Sequence, residues 1–223
     1  MIPIRDHNKS HTFPFVNYFL LASNVLVFGY MLTLPENLLE QFVFTYALIP
    51  VEIISGVNLH TLITSMFLHG GFAHIIGNML FMNVFGDNLE DALGHFKYLI
   101  FYLISGLGAS ALQIIIDPTG SLPNLGASGA IAGLMGGYLI LFPNHKIDVL
   151  LPVFGFFSSS TVPAYTMLIY WFIFQTFSGV GSLGVVDQGG VAYFAHVGGF
   201  LAGVVFILPF RSLIMRKFDR WLE

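Results

Sequence analysis

Six apolar runs organise the chain, at residues 15–34, 73–89, 96–116, 128–142, 162–177 and 190–210. Polar residues are a minority in each, and a helix needs roughly 17–25 such residues to cross a bilayer. The pattern predicts an all-α membrane protein with six transmembrane helices. The fourth run is short and glycine-rich, and Pro143 ends it. The sixth is long enough to tilt. Residues 42–68 are also apolar, but Pro50 and Glu52 interrupt them and Gly56-Val57-Asn58 reads as a turn. Short amphipathic pieces lying in the outer interface fit this segment better than a further span. They would make the first outer loop a structured element. The other loops are expected to be short. Residues 117–125 hold two prolines and Gly120, and residues 178–189 are rich in Gly and Ser, which predicts a mobile last loop.

Charge orients these helices. With the N-terminus in the cytoplasm, Arg5 and Lys9 precede the first run and Lys97 lies between the second and third. Lys146 lies between the fourth and fifth, and Arg211, Arg216, Lys217 and Arg220 follow the sixth. All eight basic residues then fall on the cytoplasmic side, as the positive-inside rule requires. The opposite loops carry Glu36, Glu40, Glu52, Asp117 and Asp187. Adding or removing one span would split this segregation. The chain therefore divides into a cytoplasmic segment (1–14), a six-helix domain (15–210) and a basic cytoplasmic tail (211–223). Only 9% of residues are charged and 56% are hydrophobic, against about a quarter charged in soluble domains, so lipid is the main surrounding. Cysteine is absent, which excludes disulfides and thiol nucleophiles and leaves zinc only His and carboxylates. Residues 1–15 are polar and lack a small-residue cleavage site, so the first run is expected to be a retained helix rather than a signal peptide.

Polar side chains at membrane depth are costly unless partnered, and are functional candidates for that reason. His74 and Asn78 stand four apart near the outer end of the second run, on one helical face. Ser128 opens the fourth run, also at its outer end. His196 lies about six residues into the sixth, roughly 9 Å below its outer end. Three helices thus place polar groups in the outer half of the bilayer. Small residues line the same faces: Ala132 and Gly136 follow Ser128 at four-residue steps, with Gly129 and Gly133 beside them, and Gly199 and Gly203 follow His196. Such residues let helix backbones approach closely, and close approach would bring the Ser128 hydroxyl and the His196 imidazole within about 3 Å.

The chemistry follows from those parts. Serine is a weak nucleophile until a base takes its proton, and an imidazole shielded from water can act as that base. Attack on a carbonyl creates an oxyanion, for which His74, Asn78 and the Ser128 backbone N–H are candidate donors. No acid sits at this depth beside His196, and Asp187 lies in the loop outside, so a Ser–His dyad is expected rather than a triad. Taken singly, each residue has an ordinary reading. Ser128 alone is more often a packing residue or helix cap, Asn78 an interhelical hydrogen-bonding residue, and His196 the same. Asp87, Asn88, Glu90 and Asp91 fall near the cytoplasmic end of the second helix, where the dipole disfavours acids; they are expected to pair with Lys97, Lys146 or backbone donors. Phe172, Phe174 and Phe177 read as lipid-facing or packing residues.

In order and on these helices, the residues resemble the rhomboid intramembrane serine proteases, over nearly all of residues 68–203. Gly126-Ala127-Ser128-Gly129 is similar to the family's nucleophile motif, and Ala195-His196-Val197-Gly198-Gly199 to its general-base motif. His69, His74 and Asn78 match the family's spacing in the second span, the last two being associated with the oxyanion hole. Gly86, Glu90 and Gly94 match its structural GxxxExxxG pattern. The resemblance implies a six-helix rhomboid-like bundle, no metal or cofactor, no nucleic-acid partner, and cleavage of other membrane proteins in or beside their transmembrane segments. His69, Gly126, Gly129 and Gly199 are then structural neighbours of the site. With the compact core it also suggests a prokaryotic inner membrane. Two departures stand out. Ala132 occupies the place of a tyrosine that stacks on the base in well-studied members, and the Trp-Arg pair common in the first outer loop is missing. Two rival readings stay open: a non-catalytic relative that binds membrane helices, although this chain keeps both Ser128 and His196, and a transporter or metal carrier using the histidines, although no carboxylate accompanies His74 or His196.

Overall fold

The computed structural model describes residues 1–153, 156–183 and 191–219. Strand β1 (Ile2–Asp6) leads into helix α1 (Phe15–Met31). Helices α2 (Glu36–Tyr46), α3 (Pro50–Ile54) and α4 (Thr61–Thr64) fold the first loop, followed by α5 (Phe72–Leu93), α6 (His95–Ile116) and α7 (Ser128–Leu141). Strands β2 (Lys146–Val153) and β3 (Phe156–Pro163) come next, then α8 (Ala164–Ser182), α9 (Tyr193–Ile207) and α10 (Arg211–Asp219). A helix thus forms over each of the six apolar runs. Among the described residues, two stretches, His95–Ile116 and Tyr193–Arg216, are long and apolar enough to cross a membrane on their own; Phe15–Met31 and Ser128–Leu141 are shorter apolar helices.

Helix α7 explains why length alone is a poor guide here. Its 14 residues rise only about 21 Å, against a hydrocarbon thickness of about 30 Å. It is instead the central helix: Gly129 through Tyr138 are all buried, and α5, α6, α8 and α9 pack around it. Apolar side chains on the outer helices face outward, among them Phe19 and Leu26 on α1, Ile173 and Phe177 on α8, and Leu201 and Val205 on α9. An exposed apolar surface of this extent is one that lipid covers.

The fold departs from an all-α architecture at one end. β1, β2 and β3 form an antiparallel sheet in that order, with Ile2 opposite Leu150 and Asp6 opposite Ile147. The alternation behind β2 is physical: Ile147 and Val149 are buried, while Lys146 is exposed and Asp148 and Leu150 are half-buried. Across the sheet, Asp148 accepts from Arg5 Nη2 at 2.8 Å and from Thr161 Oγ1 at 2.6 Å, and its Oδ1 lies 2.8 Å from His7 Nε2. Those hydrogen bonds, Thr161 foremost, hold its carboxyl well below the usual carboxylate range. Because β3 runs to Pro163, the fifth helix begins at Ala164 rather than at residue 162. Helix α8 also continues to Ser182, so the first part of the expected mobile loop is helical. Asp187 and the rest of that loop through residue 190 lie outside the described residues, as do Arg220 and Trp221.

The acids of α5 pair mainly with the N-terminal segment. Glu90 is fully buried and accepts from the backbone N–H groups of Val16 and Asn17 at 2.8 and 2.6 Å, and it also bonds His95. Asp91 accepts from the backbone of His11 and Thr12. Asn88 Nδ2 and Tyr138 Oη both donate to Asp6. These partners are chiefly backbone and neutral donors rather than Lys97 or Lys146. At the opposite end, the first loop is tied down without tryptophan or arginine. Leu48 and Asn124 exchange backbone hydrogen bonds at 2.9 and 2.7 Å, His60 Nε2 lies 3.0 Å from the Thr45 carbonyl oxygen, and Thr64 Oγ1 donates to the Tyr46 carbonyl.

Candidate functional site

Ser128 is the first residue of α7, and the turn before it needs glycine. Gly126 has φ +125°, a region L side chains rarely adopt, and its N–H donates to the Ser65 carbonyl at 2.8 Å. A Cβ on Gly126 would lie 2.6 Å from His74 Nε2, so the absent side chain leaves the space into which that imidazole edge fits. Below the turn, α7 and α9 touch backbone to backbone. A Cβ on Gly199 would collide with the Gly129 carbonyl, one on Gly203 with the Gly133 carbonyl, and one on Gly136 with the Phe200 carbonyl. The small residues on these two faces are therefore what sets the helix separation.

That separation places His196 Nε2 2.8 Å from Ser128 Oγ. The other ring nitrogen, Nδ1, lies 2.9 Å from Gln175 Oε1 on α8. Trp171, one turn earlier on α8, packs against the same imidazole with ring centroids 5.8 Å apart. Ala132, one turn after Ser128, is fully buried and too small to support the ring. Trp171 thus occupies the packing role for which the sequence offers no candidate on α7.

His74 and Asn78 face the serine from α5. Asn78 is buried, and its Nδ2 donates to His69 Nε2 at 2.9 Å, while the His69 and His74 rings meet edge to face at 5.0 Å. The Gly70 N–H points at His74 Nδ1 from 3.4 Å, which favours the tautomer carrying its proton on Nε2, beside Gly126. His69 lies in the turn before α5 and is almost wholly buried; that burial, with the nearby His74, pushes its imidazole down to about 4. It is therefore a neutral hydrogen-bonding ring, not a cation.

A cavity of about 780 Å³ joins these groups, lined by His74, Asn78, Ser128, Trp171, Gln175 and His196. The candidate site residues singled out from the sequence therefore meet in one place: Ser128 and His196 in direct contact, His74 and Asn78 across the cavity, His69 behind Asn78, and Gly126, Gly129 and Gly199 in the turn and helix contact. Gln175 and Trp171 are not among them. Gln175 does carry a signal, as an uncharged polar residue in the middle of an apolar helix, the same cost that marks Asn78. Phe172 stacks on Phe200 at 4.7 Å, whereas Phe174 and Phe177 face outward. Among the described residues, no three His, Asp or Glu side chains gather as a metal site.

The chain is similar to known proteins over most of its length. The family model for the Rhomboid domain matches residues 56–212. "RHOMBOID-like protein 6, mitochondrial" of Arabidopsis thaliana is 34% identical over 172 residues, which cover 77% of this chain and 49% of that protein. "RHOMBOID-like protein 5" of the same plant is 34% identical over 158 residues, 70% of this chain and 45% of its own length. "Rhomboid protein 1, mitochondrial" of Saccharomyces cerevisiae is 31% identical over 226 residues, covering 100% of this chain and 60% of that protein. The chain spans about half the length of the curated relatives it matches. The expectation of a prokaryotic inner membrane is overturned by these eukaryotic relatives, two of which are named as mitochondrial.

Proposed function

The chain belongs to the rhomboid family, whose fold is helical and membrane-embedded, and on that premise we propose that it is an intramembrane serine endopeptidase. The observation that carries this reading is the 2.8 Å contact between Ser128 Oγ and His196 Nε2, at a cavity that also holds His74 and Asn78. In this reading the helices over all six apolar runs cross the membrane as a bundle, α7 being short because its neighbours, not lipid, surround it. Strand β1 and helix α10 then lie on one side of the membrane.

His196 accepts the Ser128 hydroxyl proton at Nε2 while Oγ attacks the peptide carbonyl carbon. The carbonyl oxygen becomes an oxyanion, stabilised by His74 Nε2–H, by the second N–H of Asn78 and by the Ser128 backbone N–H. The protonated His196 then gives its proton to the leaving amine, and the C–N bond breaks. Water attacks the acyl-enzyme by the same steps in reverse, with His196 again taking and returning a proton. The substrates we assign are transmembrane segments of other membrane proteins, which reach the cavity from lipid.

The test is cleavage of a model transmembrane substrate in proteoliposomes by wild type, Ser128→Ala and His196→Ala. The reading expects a loss of about 10³-fold or more in either variant. Cleavage that persists in both would overturn it.

A further inference from the structure

The dyad has a third member that is not an acid. His196 Nε2 must accept the Ser128 proton, so the neutral imidazole has to carry its own hydrogen on Nδ1. The acceptor facing Nδ1 is Gln175 Oε1 at 2.9 Å. Gln175 is only 7% exposed, and a buried amide of this kind is paired as a rule. It sits four residues after Trp171 on α8, so one face of one helix supplies both the acceptor for Nδ1 and the surface against which the ring packs. Helix α7, which carries the serine, contributes only Ala132 at the equivalent depth.

We propose that Gln175 is a positioning residue for the base, fixing the tautomer and orientation of His196 in a neutral Ser–His–Gln relay. This rests on the reading of Ser128 and His196 as nucleophile and base. An amide suits the place: a carboxylate there would be a charge in a largely apolar cavity with no Lys or Arg among its described lining residues, whereas the amide oxygen accepts the same hydrogen bond without that cost. The arrangement also ties the base to α8. Any displacement of α8 withdraws the Nδ1 acceptor and the Trp171 packing together, so the position of α8 sets whether the base is aligned.

The experiment uses the full chain in liposomes, with kcat and KM measured separately for wild type, Gln175→Met and Gln175→Glu. Methionine keeps the length and removes the acceptor; glutamate restores one. The expected result for Gln175→Met is a fall in kcat of about 10–100-fold with KM within a factor of about two. Gln175→Glu recovers most of kcat, and its acidic limb moves to higher pH, because a carboxylate at Nδ1 favours the imidazolium that glutamine does not. A merely structural glutamine would lower the folded fraction, leave kcat of the folded fraction unchanged and give no shift in the pH profile; that result overturns the proposal. Should Gln175→Met not fold, the pH profile of Gln175→Glu decides alone, and an unmoved acidic limb counts against the proposal. Labelling of Ser128 by a fluorophosphonate separates the two levels. Failure of wild type to label overturns the underlying dyad, and this proposal with it. A labelled wild type with an indifferent Gln175→Met overturns only the role of Gln175.

Discussion

The change Gly126→Ala adds one methyl group and should remove most of the activity. A Cβ there would lie 2.6 Å from His74 Nε2 and 2.8 Å from Cε1, where ordinary contact begins at 3.4 Å. The imidazole must therefore withdraw by about 0.8 Å, since the turn is pinned by the Gly126–Ser65 hydrogen bond. At φ +125° an alanine also strains the backbone, by about 1–3 kcal/mol. A misplacement of roughly 1 Å in a catalytic group costs about 10²-fold, similar to loss of one oxyanion donor. The expected result is a fall in kcat of about 10²-fold, equivalent to about 2.7 kcal/mol of transition-state stabilisation, with KM little changed. The assay is steady-state cleavage of a transmembrane peptide in liposomes, with the folded fraction followed by far-ultraviolet circular dichroism. Gly29→Ala, on α1, where the added carbon meets no atom within 4 Å beyond its chain neighbours and its own helix backbone, serves as the control. The effect must also depend on its target: in a His74→Ala background, Gly126→Ala is expected to cost less than about fivefold. A kcat within a factor of about three of wild type, or an equal loss in both backgrounds, would refute the reasoning.

Gly199→Ala drives a methyl into the Gly129 carbonyl; parting α7 from α9 lengthens the Ser128–His196 contact, and fluorophosphonate labelling of the variant is expected to slow by about 10²-fold. Asp6→Asn is expected to flatten the pH dependence of stability. Burial, against the Tyr138 hydrogen bond and with help from Asp87, raises the Asp6 carboxyl to about 7 from 3.8. A group raised in the folded state contributes its stability in full below about pH 4 and loses it as pH rises through about 7. Wild type should therefore melt at progressively lower temperature over that window, and Asp6→Asn should do so less steeply, as thermal unfolding at fixed detergent would show. Glu90→Ala leaves the Val16 and Asn17 amides without their carboxylate; a destabilisation of about 2–4 kcal/mol is expected in denaturant titration, with near-normal activity in the folded fraction.

Much of the site is legible in the sequence because the bilayer makes polar residues conspicuous. Ser128, His74, Asn78 and His196 each stand out in an apolar run, and the glycine steps on α7 and α9 say which helices meet. Gln175 carries the same polar-in-apolar signal, but no spacing ties it to His196; that link comes from the 2.9 Å contact across to α9. The sheet escapes for a different reason. Residues 146–163 mix Ile147 and Val149 with Asp148 and a run of serines, so their period of two is lost in a hydropathy average, and the partner strand β1 lies more than a hundred residues away in the chain. The same averaging blurs the ends of α8. Phe156 and Phe157 are as apolar as a helix but belong to β3, and Gly179 and Gly181 look like loop but lie in the last turns of the helix. Packing of Gly179 against Tyr193 and Phe194 holds that last part of α8 beside the start of α9.

The central claim is that Ser128 is activated by His196. A fluorophosphonate probe reacts with a serine activated by its surroundings and needs no knowledge of the substrate. The most direct measurement is labelling of the purified protein in detergent, comparing wild type with Ser128→Ala and His196→Ala under conditions where all three are folded. A single label on wild type, at Ser128, and none on either variant is the expected result. Labelling that survives His196→Ala, or a folded wild type that takes no label, would contradict it.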